Sequence, residues 1–214
     1  MNALRGAKRD DEKMRSINEP LTLVIAGLVL LGITAIHPHD YTTWWMETAP
    51  IFIALPILVA TYKSYTLTPL TYRLLFVHAL ILMVGGHYTY AEVPLGYWME
   101  DWFGFVRNDY DKIGHVAQGF VPALLFRELL LRSSPLKRGK LLFTLVTACC
   151  LAISATYELI EWAAAISMGQ GADAFLGTQG DPWDTQTDML MALIGAICGQ
   201  MALGKIQDGQ LLRS

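Results

Sequence analysis

Six apolar stretches constrain the fold of this chain more than any other feature of its sequence. A helix needs about 20 mostly apolar residues to cross the hydrocarbon core of a bilayer. The pattern therefore predicts an all-α fold, a polytopic bundle of about six transmembrane helices. The predicted spans are 21–36, 44–62, 70–86, 111–131, 141–166 and 184–203.

The composition excludes several other classes of protein. Hydrophobic residues make up 53% of the 214 residues and charged residues only 16%, against roughly 25% charged in soluble domains. A disordered chain, a coiled coil and a basic nucleic-acid binder are thereby excluded, so we expect no nucleic-acid partner. The three cysteines, Cys149, Cys150 and Cys198, lie in apolar stretches and show neither a disulfide framework nor zinc spacing.

Basic residues alternate between successive connections, which predicts the orientation of the chain. Fourteen of the 16 lysines and arginines fall on one side of the predicted spans, and only Arg107 and Lys112 fall on the other. By the positive-inside rule, both termini face the cytoplasm of a bacterium and the other side is periplasmic. The predicted parts are a cytoplasmic lead (1–19), a six-helix membrane domain (20–204) and a cytoplasmic tail (205–214).

The predicted periplasmic side is acidic and rich in aromatic residues. Thirteen of the 19 aspartates and glutamates lie on or near it, against two basic residues. This balance favours cations or cationic partners over anionic ones. The aromatic segment 92–110, between the third and fourth spans, is predicted to lie at the boundary between lipid and water.

Ionisable residues in the last three predicted spans gather at their periplasmic ends. Helical spacing places Asp111, His115 and Gln118 on one face of the fourth span, and the fifth and sixth spans carry acids three or four residues apart. The third span ends at His87. We expect these groups to meet in one pocket. The candidate metal ligands are Glu158, Glu161, Asp184, Asp188, His115, Asp111 and His87.

Energetics explains why such a cluster needs a cation. An acid at the bilayer centre costs on the order of 2.5–3.5 kcal/mol, so four carboxylates should face each other or water, and they then repel unless they are neutralised. Lys112, Arg107 and a protonated His115 offer at most three positive charges. The other neutraliser is a divalent cation, and an oxygen-rich site with imidazole suits Mg²⁺, Mn²⁺, Ca²⁺ or Zn²⁺.

Several polar residues also have structural explanations. Asp181 before a proline is predicted to cap the sixth span, and Asp109 to cap the fourth. His115 is either an interior histidine bonded to Asp111 or a ligand and acid–base group. Arg127 and Glu128, near the cytoplasmic end of the fourth span, are predicted to extend to the interface.

Glycines in two of the spans predict close helix packing. Gly85 and Gly86 precede His87, and Gly195 and Gly199 lie among alanines in the sixth span. Small residues of this kind allow two membrane helices to approach closely.

The residues of the last three spans resemble a known family. The sequences Asp-Lys-Ile-Gly-His (111–115), Glu-Leu-Ile-Glu-Trp (158–162) and Gly-Asp-Pro-Trp-Asp-Thr-Gln-Thr-Asp-Met (180–189) are similar to those of the YjdF-like predicted inner-membrane proteins, over most of the chain. The C-terminal half also resembles the VanZ-like pattern of a Lys-x-x-His helix, a Glu-x-x-Gln helix and an Asp-rich helix start. Glu161 stands where that pattern has Gln. The resemblance implies a membrane protein with a polar site, and no particular substrate.

Three functions are compatible with the sequence. The first is a metal-assisted enzyme acting on a lipid-linked or envelope substrate, with His115, Glu158 and Asp188 as catalytic residues. The second is a proton- or cation-coupled transporter, although no matching polar set is evident at the cytoplasmic ends of the spans. The third is a non-catalytic membrane partner in which the acidic cluster serves folding or docking. In each case the lipid bilayer surrounds the chain, and the oligomeric state stays open.

Overall fold

The computed structural model describes residues 19–168 and 178–212. The regular secondary structure of these residues is entirely helical, with no β-strand. The helices α1 to α7 follow one another along the chain, with a 3₁₀ turn at Tyr90–Glu92 between α3 and α4. Most of the predicted cytoplasmic lead (1–19) and residues 169–177, in the predicted connection before the sixth span, lie outside the described residues. The helices are α1 Glu19–Thr34, α2 Tyr41–Thr61, α3 Pro69–Tyr88, α4 Pro94–Phe103, α5 Tyr110–Ser133, α6 Lys140–Met168 and α7 Asp184–Leu211.

Four of the described helices are long and apolar enough to cross a membrane: α2, α3, α6 and α7. Helix α1 is apolar but shorter. Helix α5 has the length of a span but carries five charged residues, from Asp111 to Arg132. The helix boundaries follow the predicted spans closely except in α7, which continues to Leu211, beyond the predicted end at residue 203.

Helix α5 occupies the centre of the bundle and packs against α3, α6 and α7. Its contact with α7 depends on glycine, because a Cβ atom at Gly119 would lie 1.8 Å from the Ala192 carbonyl oxygen. A Cβ at Gly195 would lie 2.1 Å from the Val116 carbonyl oxygen. The prediction of close packing through Gly195 is thus confirmed, and it explains how a charged helix is enclosed by others.

Helices α1, α2 and α3 form a second layer. Leu31, Trp44 and Met83, one from each helix, are buried together. Helix α2 begins after Asp40, whose side chain accepts a hydrogen bond from the Thr43 backbone N–H at 2.7 Å. The Asp40 side chain therefore gives a partner to one of the backbone N–H groups in the first turn of α2, which have none within the helix.

The N-termini of α5 and α7 and the C-termini of α3 and α6 lie at the same end of the bundle, which we call the site end. Of the two caps predicted there, Asp181 is wrong, and Asp109 stands at the N-cap position of α5 without a capping side-chain hydrogen bond. Helix α7 begins at Asp184 after Trp183, and Asp181 instead accepts a hydrogen bond from the Trp183 N–H at 2.9 Å. Asp109 precedes α5 but makes no side-chain cap, because its carboxylate pairs with Arg107 at 3.0 Å. Both aspartates are drawn away from helix capping by this local polar network.

The opposite end of the bundle holds a buried polar network that overturns the prediction for Arg127 and Glu128. The Glu128 side chain is fully buried and accepts hydrogen bonds from the Thr68 and Thr71 hydroxyls at 2.8 and 2.7 Å. Arg127 donates to Gln207 at 3.0 Å and pairs with Asp208 at 2.7 Å. These side chains fasten α5 to α3 and α7, because satisfying a charge inside the bundle costs less than leaving it in lipid.

Candidate functional site

Three helix ends position the charged side chains at the site end. Helix α5 contributes Asp111, Lys112 and His115 in its first two turns. Helix α7 contributes Asp184 and Asp188, which are four residues apart and therefore share a face. Helix α6 contributes Glu158, which is also buried. The structure thus brings charged side chains of three helices close together, whereas the predicted role of these residues stays a prediction.

The ammonium group of Lys112 lies among three aspartates. Its Nζ is 2.6 Å from Asp188 Oδ1, 2.9 Å from Asp184 Oδ1 and 3.3 Å from Asp111 Oδ2. A lysine has three N–H donors, so one side chain can satisfy all three carboxylates. The Asp111, Asp184 and Asp188 oxygens lie within 4.8 Å of one another, but the Lys112 ammonium already pairs with all three.

Arg107 binds the same acidic cluster from the loop before α5. It lies 2.8 Å from Asp184 and 3.3 Å from Asp181, and it donates to the Thr178 carbonyl at 2.5 Å. Burial disfavours the charge of this guanidinium, but the hydrogen bond to Asp184 and the neighbouring acids outweigh that effect and raise its pKa above the ordinary value. Arg107 therefore stays charged and connects the loop before α7 to α5.

His115 presents a lone pair to an aspartate. Its Nδ1 lies 3.2 Å from Gln118 Oε1, and because an amide oxygen only accepts, Nδ1 carries the proton. Nε2 of the neutral ring is then an acceptor, and it lies 3.6 Å from Asp188 Oδ2. Gln118, rather than Asp111, is thus the orienting partner of His115. Two acceptors that face each other in a buried site are stabilised by a cation between them.

Buried oxygens without a hydrogen-bond partner concentrate beside this pair. Within residues 19–168 and 178–212 these atoms are Asp111 Oδ1, Ser154 Oγ and Glu158 Oε1. Ser154 and Glu158 are four residues apart on α6 and face the same direction. Since buried polar atoms are almost always paired, their concentration here indicates a place for a ligand.

His115, Glu158 and Asp188 each offer a ligand atom, and these atoms lie within 4.8 Å of one another. Protein ligands at about 2.0–2.2 Å from a cation stand up to about 4.4 Å apart, so the three atoms lie close to the spacing that one ion requires. The donor set of one imidazole nitrogen and two carboxylate oxygens fits Zn²⁺ or Mn²⁺. The hydrogen bond from His115 to Gln118 is the kind of outer contact that orients a ligating histidine.

A cavity of about 300 Å³ opens beside His115. Its walls are mostly apolar, with the carboxylates of Glu47, Asp111 and Glu161 among the lining residues. Glu47 from α2 is buried and accepts a hydrogen bond from the Tyr157 hydroxyl at 3.2 Å. Sequence reasoning counted Glu47 as an acid of this side but did not assign it to the site, because nothing local in the sequence pairs α2 with α6.

Two of the predicted ligands stand apart from both groups of metal-ligating atoms. Glu161 lines the cavity but belongs to neither group among the described residues. His87 also belongs to neither, and its Nδ1 lies 2.9 Å from the Thr34 carbonyl oxygen. His87 therefore links α3 to the end of α1 instead of joining the acidic cluster.

The fold and the site define a helical membrane protein with a buried charged site at one end of its bundle. The chain belongs to the family described as Predicted membrane protein (DUF2238), whose model matches residues 19–209. It is 52% identical over 198 residues to the inner membrane protein YjdF of Escherichia coli (strain K12), a match that covers 91% of this chain and 95% of that protein. The predicted resemblance to YjdF-like proteins is thereby confirmed. No solved structure matches the chain.

Proposed function

We propose that this protein is an enzyme of the bacterial inner membrane that uses a divalent cation to act on a lipid-linked or envelope substrate. In this proposal α1, α2, α3, α5, α6 and α7 are six spans, and α4 lies at the boundary of lipid and water. Both termini are cytoplasmic and the site end is periplasmic, as the distribution of basic residues favours. The inner-membrane assignment also draws on the name of the similar E. coli protein.

One observation carries the proposal: the His115 Nε2 atom, an Asp188 oxygen and the unpartnered Glu158 Oε1 converge in a buried space. The three hydrogen bonds of the Lys112 ammonium go to Asp111, Asp184 and Asp188, and none of them reaches Glu158. A divalent cation held by His115, Glu158 and Asp188 would serve as a Lewis acid and would activate a bound water. Three protein ligands leave coordination positions open, as catalytic sites do.

The other residues have supporting roles. Lys112 and Arg107 hold Asp188 and Asp184 in place by direct ion pairs, so the ligand face of Asp188 has a fixed orientation. The adjoining cavity offers space for a reacting group next to His115, which can accept or deliver a proton at Nε2. The VanZ-like resemblance supports the same residues, since Lys112, His115, Glu158, Asp184 and Asp188 are the positions that its motifs match.

A non-catalytic role is the second candidate, and the ion pairs favour it. Lys112 and Arg107 together form ion pairs with five aspartates, an arrangement that a folding device also requires. Coupled transport is less well supported. The prediction that the cytoplasmic ends carry no matching polar set is wrong, because a buried polar network lies at that end. Its Glu128, however, is fully buried and already bonded to Thr68, Thr71 and Arg132, so it is not available to a transported ion.

The metal content of the purified protein tests the proposal. After incubation with Mn²⁺ or Zn²⁺ and removal of free ions, inductively coupled plasma measurement should find about one ion per chain in the wild type. Glu158→Gln and Asp188→Asn keep side-chain size but remove a ligand charge, so each should lower the bound metal at least tenfold. Asp101→Asn, on the exposed part of α4, is the matched control and should bind like the wild type.

The result also separates the two candidates. Metal-free wild-type protein, or Glu158→Gln and Asp188→Asn variants that retain the metal, would refute the enzyme proposal. Variants that fail to accumulate in the membrane, while the wild type binds no metal, would favour the folding role.

A further inference from the structure

A second, apolar groove lies between α1, α2 and α3. Its volume is about 170 Å³, and it is lined almost entirely by aliphatic and aromatic side chains, such as Leu28, Leu58 and Phe76. Gly27 on α1 forms part of its wall, where a Cβ atom would come no closer than 3.9 Å to Phe76. A methyl group would therefore fit at Gly27 in ordinary contact, whereas a large side chain there would extend toward Phe76 and fill the groove. We call this space the apolar groove.

The apolar groove adjoins the cavity of the charged site. Pro50 and Ala54 of α2 and Leu75, His78 and Leu82 of α3 line both spaces. The combined space runs along α2 from Glu47 to Leu58, eleven residues or about 16 Å at 1.5 Å per residue. This length is about half of the roughly 30 Å hydrocarbon core, which is the depth reached by an acyl chain of one leaflet.

The polar part of this space selects for positive charge. Glu47, Asp111 and Glu161 line the cavity, and no lysine or arginine is among its described lining residues. Asp111 Oδ1 is buried without a hydrogen-bond partner, and the whole residue is only 7% exposed. The hydroxyls of Tyr157 and Tyr90, which hydrogen-bond to Glu47, are uncharged. A charged amine would supply the hydrogen-bond donor that Asp111 Oδ1 lacks and the positive charge that the hydroxyl partners of Glu47 lack.

We propose that the cavity and the apolar groove together bind one lipid with an amine-bearing headgroup, its ammonium against Glu47 and Asp111 and its acyl chain in the groove. This inference deepens the proposed function, on which it rests, because it names the substrate class of the same site. His115, which lines the cavity, then faces the headgroup. The proposed metal ligands Glu158 and Asp188 then lie close to the headgroup, because their oxygens are within 4.8 Å of a ring nitrogen of His115.

Photocrosslinking in nanodiscs tests the inference. The probe is a phosphatidylethanolamine with a diazirine in one acyl chain, present at low abundance in phosphatidylcholine nanodiscs that contain the full chain. Peptide mapping should place the crosslinks on groove residues such as Leu75 and Phe76. Unlabelled phosphatidylethanolamine should reduce the crosslinks at least tenfold more effectively than phosphatidylglycerol, because only the former carries an amine.

Two variants separate the headgroup from the chain. Glu47→Gln should lower crosslinking at least fivefold and remove the preference for the amine. Glu92→Gln is its control, since Glu92 lies at the same end with a half-exposed side chain. Gly27→Trp should block the groove and abolish crosslinking there while leaving the metal content unchanged, which also shows that the variant is folded.

The outcomes distinguish this inference from the proposed function. Equal competition by phosphatidylethanolamine and phosphatidylglycerol, or crosslinks spread over lipid-facing residues such as Ile53, would overturn the inference even if the metal is bound. Selective crosslinking in a protein that binds no metal would uphold lipid binding and refute the metal-dependent enzyme.

Discussion

Replacement of Lys112 by methionine tests whether one ammonium group holds the acidic cluster together. Lys112→Met keeps a long unbranched side chain and removes the charge that lies 2.6 Å from Asp188, 2.9 Å from Asp184 and 3.3 Å from Asp111. The three carboxylates would then face one another, and the remaining compensation would come from Arg107, which pairs with Asp184 at 2.8 Å.

The magnitude follows from the burial of these groups. The side chain of Lys112 is 16% exposed and that of Asp188 is 2% exposed, so solvent screens the pair weakly. Removing one partner of a buried ion pair costs about 3–5 kcal/mol. Because Arg107 still compensates Asp184, we expect a loss near the lower limit, about 3 kcal/mol in the free energy of unfolding.

Reversible unfolding in mixed micelles, followed by circular dichroism, measures this loss. Divalent cation at 100 times its dissociation constant should restore about 2.7 kcal/mol, since Asp111, Asp184 and Asp188 lie within ion-binding distance. Lys137→Met, an exposed control, should change stability by no more than about 0.5 kcal/mol. A Lys112→Met variant as stable as that control would refute the role of Lys112.

Two further predictions concern helix packing and orientation. Gly195→Ala should cost about 1–3 kcal/mol in thermal unfolding, because its Cβ would lie 2.1 Å from the backbone oxygen of Val116; Gly32→Ala, with nothing within 4 Å, is the control and should not destabilise. In a chain without its native cysteines, Asp181→Cys should react with an impermeant thiol reagent from the periplasm and Lys137→Cys only after the membrane is opened. Labelling of both from the same side would contradict the proposed topology.

The sequence predicted the helical membrane fold because apolar length and charge bias are local properties that survive any arrangement of the helices. Helical spacing also predicted which side of each helix carries the polar groups, so His115, Glu158 and Asp188 could be chosen together. The choice failed for His87, whose ring binds the Thr34 carbonyl. That carbonyl belongs to another helix, and no spacing within α3 indicates it.

Tertiary structure alone decided how the charges are paired. No local pattern places Glu47 in the cavity. Nor does one bury Glu128 against Thr68 and Thr71, since these partners of Glu128 lie 57 to 60 residues away along the chain. Hydropathy and helical spacing predict which face of each helix is apolar and which is polar. The partners of buried polar atoms depend on which helices become neighbours, and that is set by packing such as the glycine contact between α5 and α7.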